Sequence, residues 1–293
     1  MRIGIVSDIH GNLAALEAAL AGLNLSGVDR IICLGDAVDP FPGSKATIEL
    51  LERLAIPILR GNHEDYVVTA AELTEGTLKE SSIEPIHVTP NWEPVRVLAR
   101  SLSQEFIKRL KNLPLTLSLD EGLLSEVVFC HASPSSNQSG WRYATDERLN
   151  CELSAHPACT MVCGHWHMPE TRVWQNKQLI TCGSVGIPLR GRVESEFLIV
   201  ERRGSEWHSN HGATIYDNTS TLEDYRNLGW VAAGGPLAWM LYDEVRTAQR
   251  RVVPFNQWLK TNGITQPSMS VLKEHGRQFL KEIGTWSEIA PYT

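Results

Sequence analysis

Three short apolar runs open the chain, Ile3 to Val6, Arg30 to Leu34 and Ile56 to Leu59. Each stops at a polar cluster: Ser7-Asp8-Ile9-His10, Gly35-Asp36 and Gly61-Asn62-His63. β-favouring runs ended by Gly, Asp or Asn predict buried strands. Between the first two, Leu13, Leu16, Leu20 and Leu23 recur at helical spacing behind Asn12, a residue suited to cap the first turn, and Gly27 ends the pattern. A second helical stretch runs from about Ala46 to Leu54. The resulting β-α-β-α-β order predicts an α/β layer with its polar clusters at the carboxyl ends of the strands, where open α/β sheets bind ligands.

Residues 64 to 112 read as mostly helical, with Val95 to Arg100 and Phe106 to Leu110 the most apolar segments and breaks at Pro85, Pro90 and Pro94. Short strands are predicted at Leu115 to Leu119, Val127 to Cys130, Thr160 to Cys163, Gln178 to Cys182 and Glu196 to Val200, the last two as antiparallel neighbours. From about Ser205 the texture turns helical. Leu222, Tyr225 and Leu228 follow a Thr221 cap, Leu237 to Val252 is amphipathic, and Ser270 is placed to cap a last helix to Ile283. The pattern therefore divides into a domain over residues 1–204 and a mostly helical extension over 205–293. Five of the nine tryptophans lie in that extension, which marks it as a packed appendage.

Composition narrows the function. Hydrophobic residues at 42% and charged residues at 21% exclude a disordered or fibrous chain. The formal charge of -7 argues against a broad nucleic-acid surface or an anionic-membrane surface. No window is apolar for the ~18 residues that a membrane span needs, and Met1-Arg2 runs straight into a strand without a secretory signal, so a cytoplasmic location is expected. The six cysteines form no C-x-x-C pair and read as buried reduced thiols.

The histidines carry more information. Five of the ten stand in polar clusters at strand ends, in the order D-x-H, GD, GNHE, H-A-S-P and GHWH. In an extended segment residues i and i+2 share a side, so Asp8 with His10, and His165 with His167, are expected to converge in pairs. Imidazole, carboxylate and amide donors without thiolate suit Mn, Fe, Zn or Ni. Asp36 has two oxygens with which to bridge two ions, and two ions ~3.5–4 Å apart form a clamp suited to phosphoryl transfer. Each cluster alone is an ordinary turn; the series is not.

Asp8-Ile9-His10, Gly35-Asp36, Gly61-Asn62-His63-Glu64, His131 and Gly164-His165-Trp166-His167 together resemble the motif set of the calcineurin-like metallophosphoesterases. The resemblance covers roughly residues 1 to 204, and the Gly183 to Gly186 turn resembles that of the small bacterial members. It implies a four-layer α-β-β-α sandwich with a helical C-terminal extension. Asp8, His10, Asp36 and His167 would hold one divalent ion and Asp36, Asn62, His131 and His165 a second, with Mn the expected metal. His63 would stay off the metals and donate a proton to the leaving oxygen, while a hydroxide activated by both ions attacks phosphorus in line. Asp39 stands where phosphoprotein phosphatases of the superfamily carry the acid that orients this histidine, but Pro40 replaces the arginine that follows it there.

The implied activity is hydrolysis of phosphomonoesters, phosphodiesters or small nucleotides. Two alternatives are a metal-dependent nuclease, which the acidic balance disfavours, and a non-catalytic protein-binding scaffold, which the full set of ligand positions disfavours. Arg190 and Arg192 read as solvated loop residues, and Arg246, Arg250 and Arg251 as a solvated helix face. His87, His156, His208, His211 and His275 match no motif. The Trp-rich helices suit internal packing and homo-oligomer formation equally.

Overall fold

The computed structural model describes residues 1–82, 89–119, 126–154, 156–204, 206–265 and 267–293. Pro85 and His87 lie outside the described residues, as does residue 205 at the expected domain boundary. Strand β1 (Arg2–Val6) leads into α1 (Leu13–Leu25), which Asn12 caps by accepting from the Ala15 N–H, and then β2 (Arg30–Cys33) lies parallel to β1. Helices α2 (Ser44–Arg53), α3 (Asn62–Thr74), α4 (Glu93–Ser101) and α5 (Gln104–Lys111) follow.

A second group contains β3 (Thr116–Leu119), β4 (Val127–Cys130), α6 (Asp146–Leu153), β5 (Thr160–Cys163), β6 (Glu170–Trp174) and β7 (Lys177–Thr181). The chain then returns with β8 (Glu194–Arg203) and β9 (Glu206–Ile215). One sheet has the order β2-β1-β8-β9 and the other β3-β4-β5-β7-β6.

Side-chain alternation explains the layering. Ile3 and Ile5 of β1, Val127 and Phe129 of β4, and Leu198 and Val200 of β8 meet in one core between the sheets. The intervening Val128 and Cys130 of β4 face outward onto Trp141 and the α6 leucines Leu149 and Leu153. Phe197 and Ile199 of β8 face the opposite way, onto α1 and the helices after it. Strands buried on both faces with helices outside make an α-β-β-α sandwich.

The strand reading differs from the structure in partners and boundaries, and it omits β6 and β9. Ile56 to Leu59 runs beside β2 but makes a single bridge, Cys33 to Ile58, because Pro57 has no N–H to extend a ladder. Gln178 to Cys182 and Glu196 to Val200 are not neighbours: β7 lies between β5 and β6, while β8 lies between β1 and β9 in the other sheet. The turn through Val185 and Gly186 carries the chain across, bonding to the Ser7 and Asp8 carbonyls at 3.0 Å each. Residues 206–215, read as part of the helical tail, form β9, an edge strand that pairs along all of β8. Trp207 is its one buried hydrophobic residue, so its apolar alternation is faint.

The helical extension begins at α7 (Thr219–Asn227) and continues through α8 (Trp230–Thr247), α9 (Val252–Thr261), α10 (Met269–Glu282) and α11 (Trp286–Ile289). Thr221 is inside α7 and bonds Asn12 rather than capping the helix, and α10 is capped by Ser268 instead of Ser270. Leu237 to Val252 is not one helix, since α8 ends at Thr247 and α9 begins at Val252. Tyr225, Trp239, Tyr242, Phe255 and Phe279 form the extension's own core, and Phe41 and Ile187 of the sandwich insert into it. Full burial of each such side chain is worth about 2–3 kcal/mol, enough to hold the extension against the domain. All six cysteines are free thiols; Cys33, Cys130, Cys163 and Cys182 are buried as expected, but Cys151, on α6, is exposed and Cys159 only half-buried.

Candidate active site

The polar clusters after β1, β2, β4 and β5 meet at one edge of the sandwich. Their convergence does not use strand alternation. Asp8, His10, Asp36, His165 and His167 all have positive φ, between 49° and 71°, so the chain coils left-handed at each of them. Such a conformation costs a non-glycine residue roughly 1–2 kcal/mol. It is held by hydrogen bonds that continue the β1–β2 register past the strand ends: Asp8 N–H to Gly35 O at 3.1 Å, and His10 N–H to Asp36 O at 2.9 Å. The Asp8 carboxylate in turn accepts from His165 N–H at 2.9 and 3.0 Å. Gly35 and Gly61 let two backbones touch here, since a Cβ on Gly35 would lie 2.5 Å from Gly61 N and one on Gly61 would strike the Asp36 carboxylate.

Three groups of donor atoms result, each with its atoms within 4.8 Å of one another: Asp8, His10 and His167; His10, Asp36 and His63; and Asp36, His131 and His165. Asn62 joins the third, with Oδ1 3.0 Å from His131 Nε2 and 2.9 Å from His165 Nδ1. All nine residues singled out from the sequence are thus brought together. Distance does not set His63 apart from the ligand candidates. It is distinguished by its exposure of 27%, against 0–2% for Asp8, His10, Asp36 and His131, and by its bond to Asp39.

The donor set fits cations. His167 Nδ1 donates to Ile187 O at 2.8 Å, and His10 Nδ1 lies 3.0 Å from Asp39 Oδ2, close but poorly aligned. A lone pair facing a carboxylate oxygen would be repelled, so both Nδ1 atoms carry protons and both Nε2 atoms point lone pairs inward, 3.0 Å apart. His131 repeats the arrangement: Nδ1 donates to Leu34 O at 3.0 Å while Nε2 faces Asp36 Oδ2 at 3.2 Å and Asn62 Oδ1 at 3.0 Å. Without a metal, protons on Nε2 supply the positive charge that these facing acceptors need: against their burial, Asp36 raises His131 to about 9 and Asp8 raises His167. A bound cation would take the place of those protons.

The titration of these groups follows from their pairing. Burial opposes the charge on Asp8, but His167 and His131 outweigh it and hold the carboxyl at about 2. Burial likewise opposes the Asp36 charge, and His131 and His63 overcome it, leaving the group well below the usual carboxylate range. Asp39 is lowered against its burial by His63 and His10. For His63, burial is outweighed by Asp39 and Asp36, which lift it to about 10. Burial with His131 alongside pushes His165 down to about 4, and burial lowers His10.

Asp39 does more than the sequence implied. Its Oδ1 accepts from His63 Nδ1 at 2.8 Å while its Oδ2 faces His10, so one carboxylate serves both the half-buried His63 and a buried donor of the first group. Glu64, part of the GNHE motif but given no role, is fully buried and accepts from the N–H groups of Gly61, Asp36, Ala37 and Val38 at 2.7–3.2 Å. It ties the β2 loop to the start of α3. Its signal was present in the sequence, since Glu at the third position of a helix is the capping-box residue. Arg190 binds Glu196 and Arg192 binds Glu194, so neither reaches the centre.

Residues 1–204 match the family model described as the calcineurin-like phosphoesterase superfamily domain. The chain belongs to that superfamily. The chain is 28% identical over 217 residues to an uncharacterized protein of Methanocaldococcus jannaschii, covering 69% of this chain and 83% of the relative. Its fold is similar to that of a metallophosphoesterase from Sphaerobacter thermophilus, with TM-score 0.61 and 23% identity over 85% of this chain and 100% of that one. It is similar also to a hypothetical protein from Pyrococcus horikoshii OT3, with TM-score 0.64 and 18% identity over 85% and 99% of the two chains. Among the described residues, no helix is long and apolar enough to cross a membrane.

Proposed function

We propose that this phosphoesterase is a metal-dependent hydrolase of small phosphoesters that uses two divalent ions, Mn foremost. The observation that carries the reading is the position of Asp36 between two groups of inward-facing imidazoles, with the Asp39–His63 pair on the open side. Asp8, His10, Asp36 and His167 would hold one ion and Asp36, Asn62, His131 and His165 the other; Mn suits their mixture of nitrogen and oxygen donors. Divalent ions bound there supply Lewis acidity, neutralising charge on phosphoryl oxygens and acidifying water.

The remaining chemistry belongs to the chain's own residues. Asp39 accepts the Nδ1 proton of His63 and so fixes the ring with Nε2 directed outward. Raised to about 10, His63 holds its Nε2 proton at neutral pH and is able to deliver it to the departing oxygen. His167 and His131 are locked as Nδ1–H tautomers by the carbonyls of Ile187 and Leu34, which keeps their Nε2 lone pairs available. The left-handed ligand residues and the Glu64 clamp keep these groups in place before substrate arrives, which limits reorganisation.

Hydrolysis of p-nitrophenyl phosphate and bis-p-nitrophenyl phosphate with added manganese tests the proposal, with His63→Asn as control. Turnover that requires metal and collapses in His63→Asn while metal stays bound supports it. Metal-independent turnover, or full activity in His63→Asn, would refute it.

A further inference from the structure

The connection between α8 and α9 brings an arginine to the edge of the candidate centre. Arg250 donates from Nη2 to the carbonyl of Trp166 at 3.4 Å, and Trp166 stands between His165 and His167. Its neighbours Arg246 and Arg251 are both committed to the buried carboxylate of Asp243, at 2.7 and 2.6 Å. Arg250 forms no such ion pair: among the described residues no carboxylate lies within 4.0 Å of its guanidinium, whose one hydrogen bond is the long contact to Trp166, although its charge is felt at a distance by the buried Glu244 carboxylate. The other arginines weighed near the centre, Arg190 and Arg192, are paired with glutamates.

The segment that carries Arg250 is built rigidly. Glu244 Oε1 accepts from the N–H groups of Arg251 and Val252 at 2.6 and 2.9 Å, and Ala248, with φ 54°, bonds both Glu244 O and, through its own carbonyl, Gly191 N–H at 2.7 Å. The sequence put Arg250 on a continuous helix face. The break in that helix is what turns it toward His165-Trp166-His167, the segment whose ring of His167 is 14% exposed.

We infer that Arg250 is the cation that receives the phosphate group of the substrate, and that it favours the dianionic terminal phosphate of a monoester or nucleotide over the singly charged phosphate of a diester. This rests on the phosphoesterase reading above. A half-buried guanidinium with spare N–H donors matches phosphate oxygens two at a time, which ammonium and amide groups do not. The helical extension thereby contributes a substrate ligand to a site otherwise formed within residues 1–204.

Binding of inorganic phosphate to the manganese-loaded full chain, measured by calorimetry, tests the inference without relying on turnover. Arg250→Gln keeps a donor for the Trp166 carbonyl but removes the charge. It is expected to weaken phosphate binding about tenfold with metal content unchanged, and Arg250→Lys to weaken it less. Arg192→Ala, which removes an exposed charge away from the centre, is expected to change nothing. The ratio of kcat/KM for p-nitrophenyl phosphate over its bis ester should fall in Arg250→Gln. Unchanged phosphate affinity in Arg250→Gln would overturn the inference, as would an equal loss in Arg192→Ala, or loss of metal from Arg250→Gln. Arg250-dependent phosphate binding by a protein that hydrolyses neither ester would leave the inference standing and remove the hydrolase reading instead.

Discussion

Replacing Asp39 by asparagine tests the central wiring. The carboxylate faces two imidazole Nδ1 atoms, His63 at 2.8 Å and His10 at 3.0 Å, and it is 2% exposed, so water cannot substitute for it. An amide has one accepting oxygen. That oxygen is expected to stay with His63, whose bond is the aligned one, leaving the amide NH2 against the His10 N–H. Burying an unsatisfied donor costs about 1–3 kcal/mol, which corresponds to ~10–100-fold in metal affinity at the group containing His10. The lost charge has a second effect. Asp39 is the largest of the influences raising His63, so its removal lowers the His63 pKa and moves the alkaline fall of kcat/KM to lower pH. Metal retention after dialysis against buffered manganese, and kcat/KM at saturating metal across pH, measure the two effects separately. Wild-type metal affinity together with an unmoved alkaline limb would show that Asp39 couples neither histidine to the centre.

His63→Asn should lower kcat by about 10²–10⁴-fold with metal content preserved, as for removal of a general acid; metal analysis beside turnover checks both halves. His131→Ala should lower metal content, because its Nε2 faces both Asp36 and Asn62, and elemental analysis of the purified variant reads this directly. Asp243→Ala strips the shared partner from Arg246 and Arg251 and should destabilise the chain by about 3 kcal/mol, seen as a lower denaturation midpoint. In chelated protein, Asp8 is depressed from 3.8 to about 2, so its contribution to stability is complete above pH 3.8 and is lost as pH falls through about 2; acid titration of unfolding should show this, and Asp8→Asn should remove it.

Much of the candidate site was legible because its chemistry is local. D-x-H, GNHE and GHWH each place their ligand types within a few residues, and a strand end or helix start follows from the flanking residues alone. The route to convergence was not legible. Asp8 and His10 were expected to align by strand alternation, whereas both are left-handed and held by bonds to the loop after β2, a segment distant in sequence. Glu64 could have been recognised as a capping-box residue, but its reach to Asp36, Ala37 and Val38 depends on packing across the chain.

Sequence alone determined the types of donor residue at the candidate site, the superfamily, the opening β-α-β unit and the separate helical texture of the C-terminal region, because residue type and short-range periodicity carry them. Tertiary structure alone decided which sheet receives β7 and which β8, since a strand's apolar run reports burial and not its partner. It also decided that β9 belongs to the sandwich, that Asp39 serves two histidines, and that Arg250 leaves a helix to face Trp166. Each of these depends on contacts between segments far apart in the chain, where hydrogen-bond geometry and steric fit, rather than the local pattern, select one arrangement.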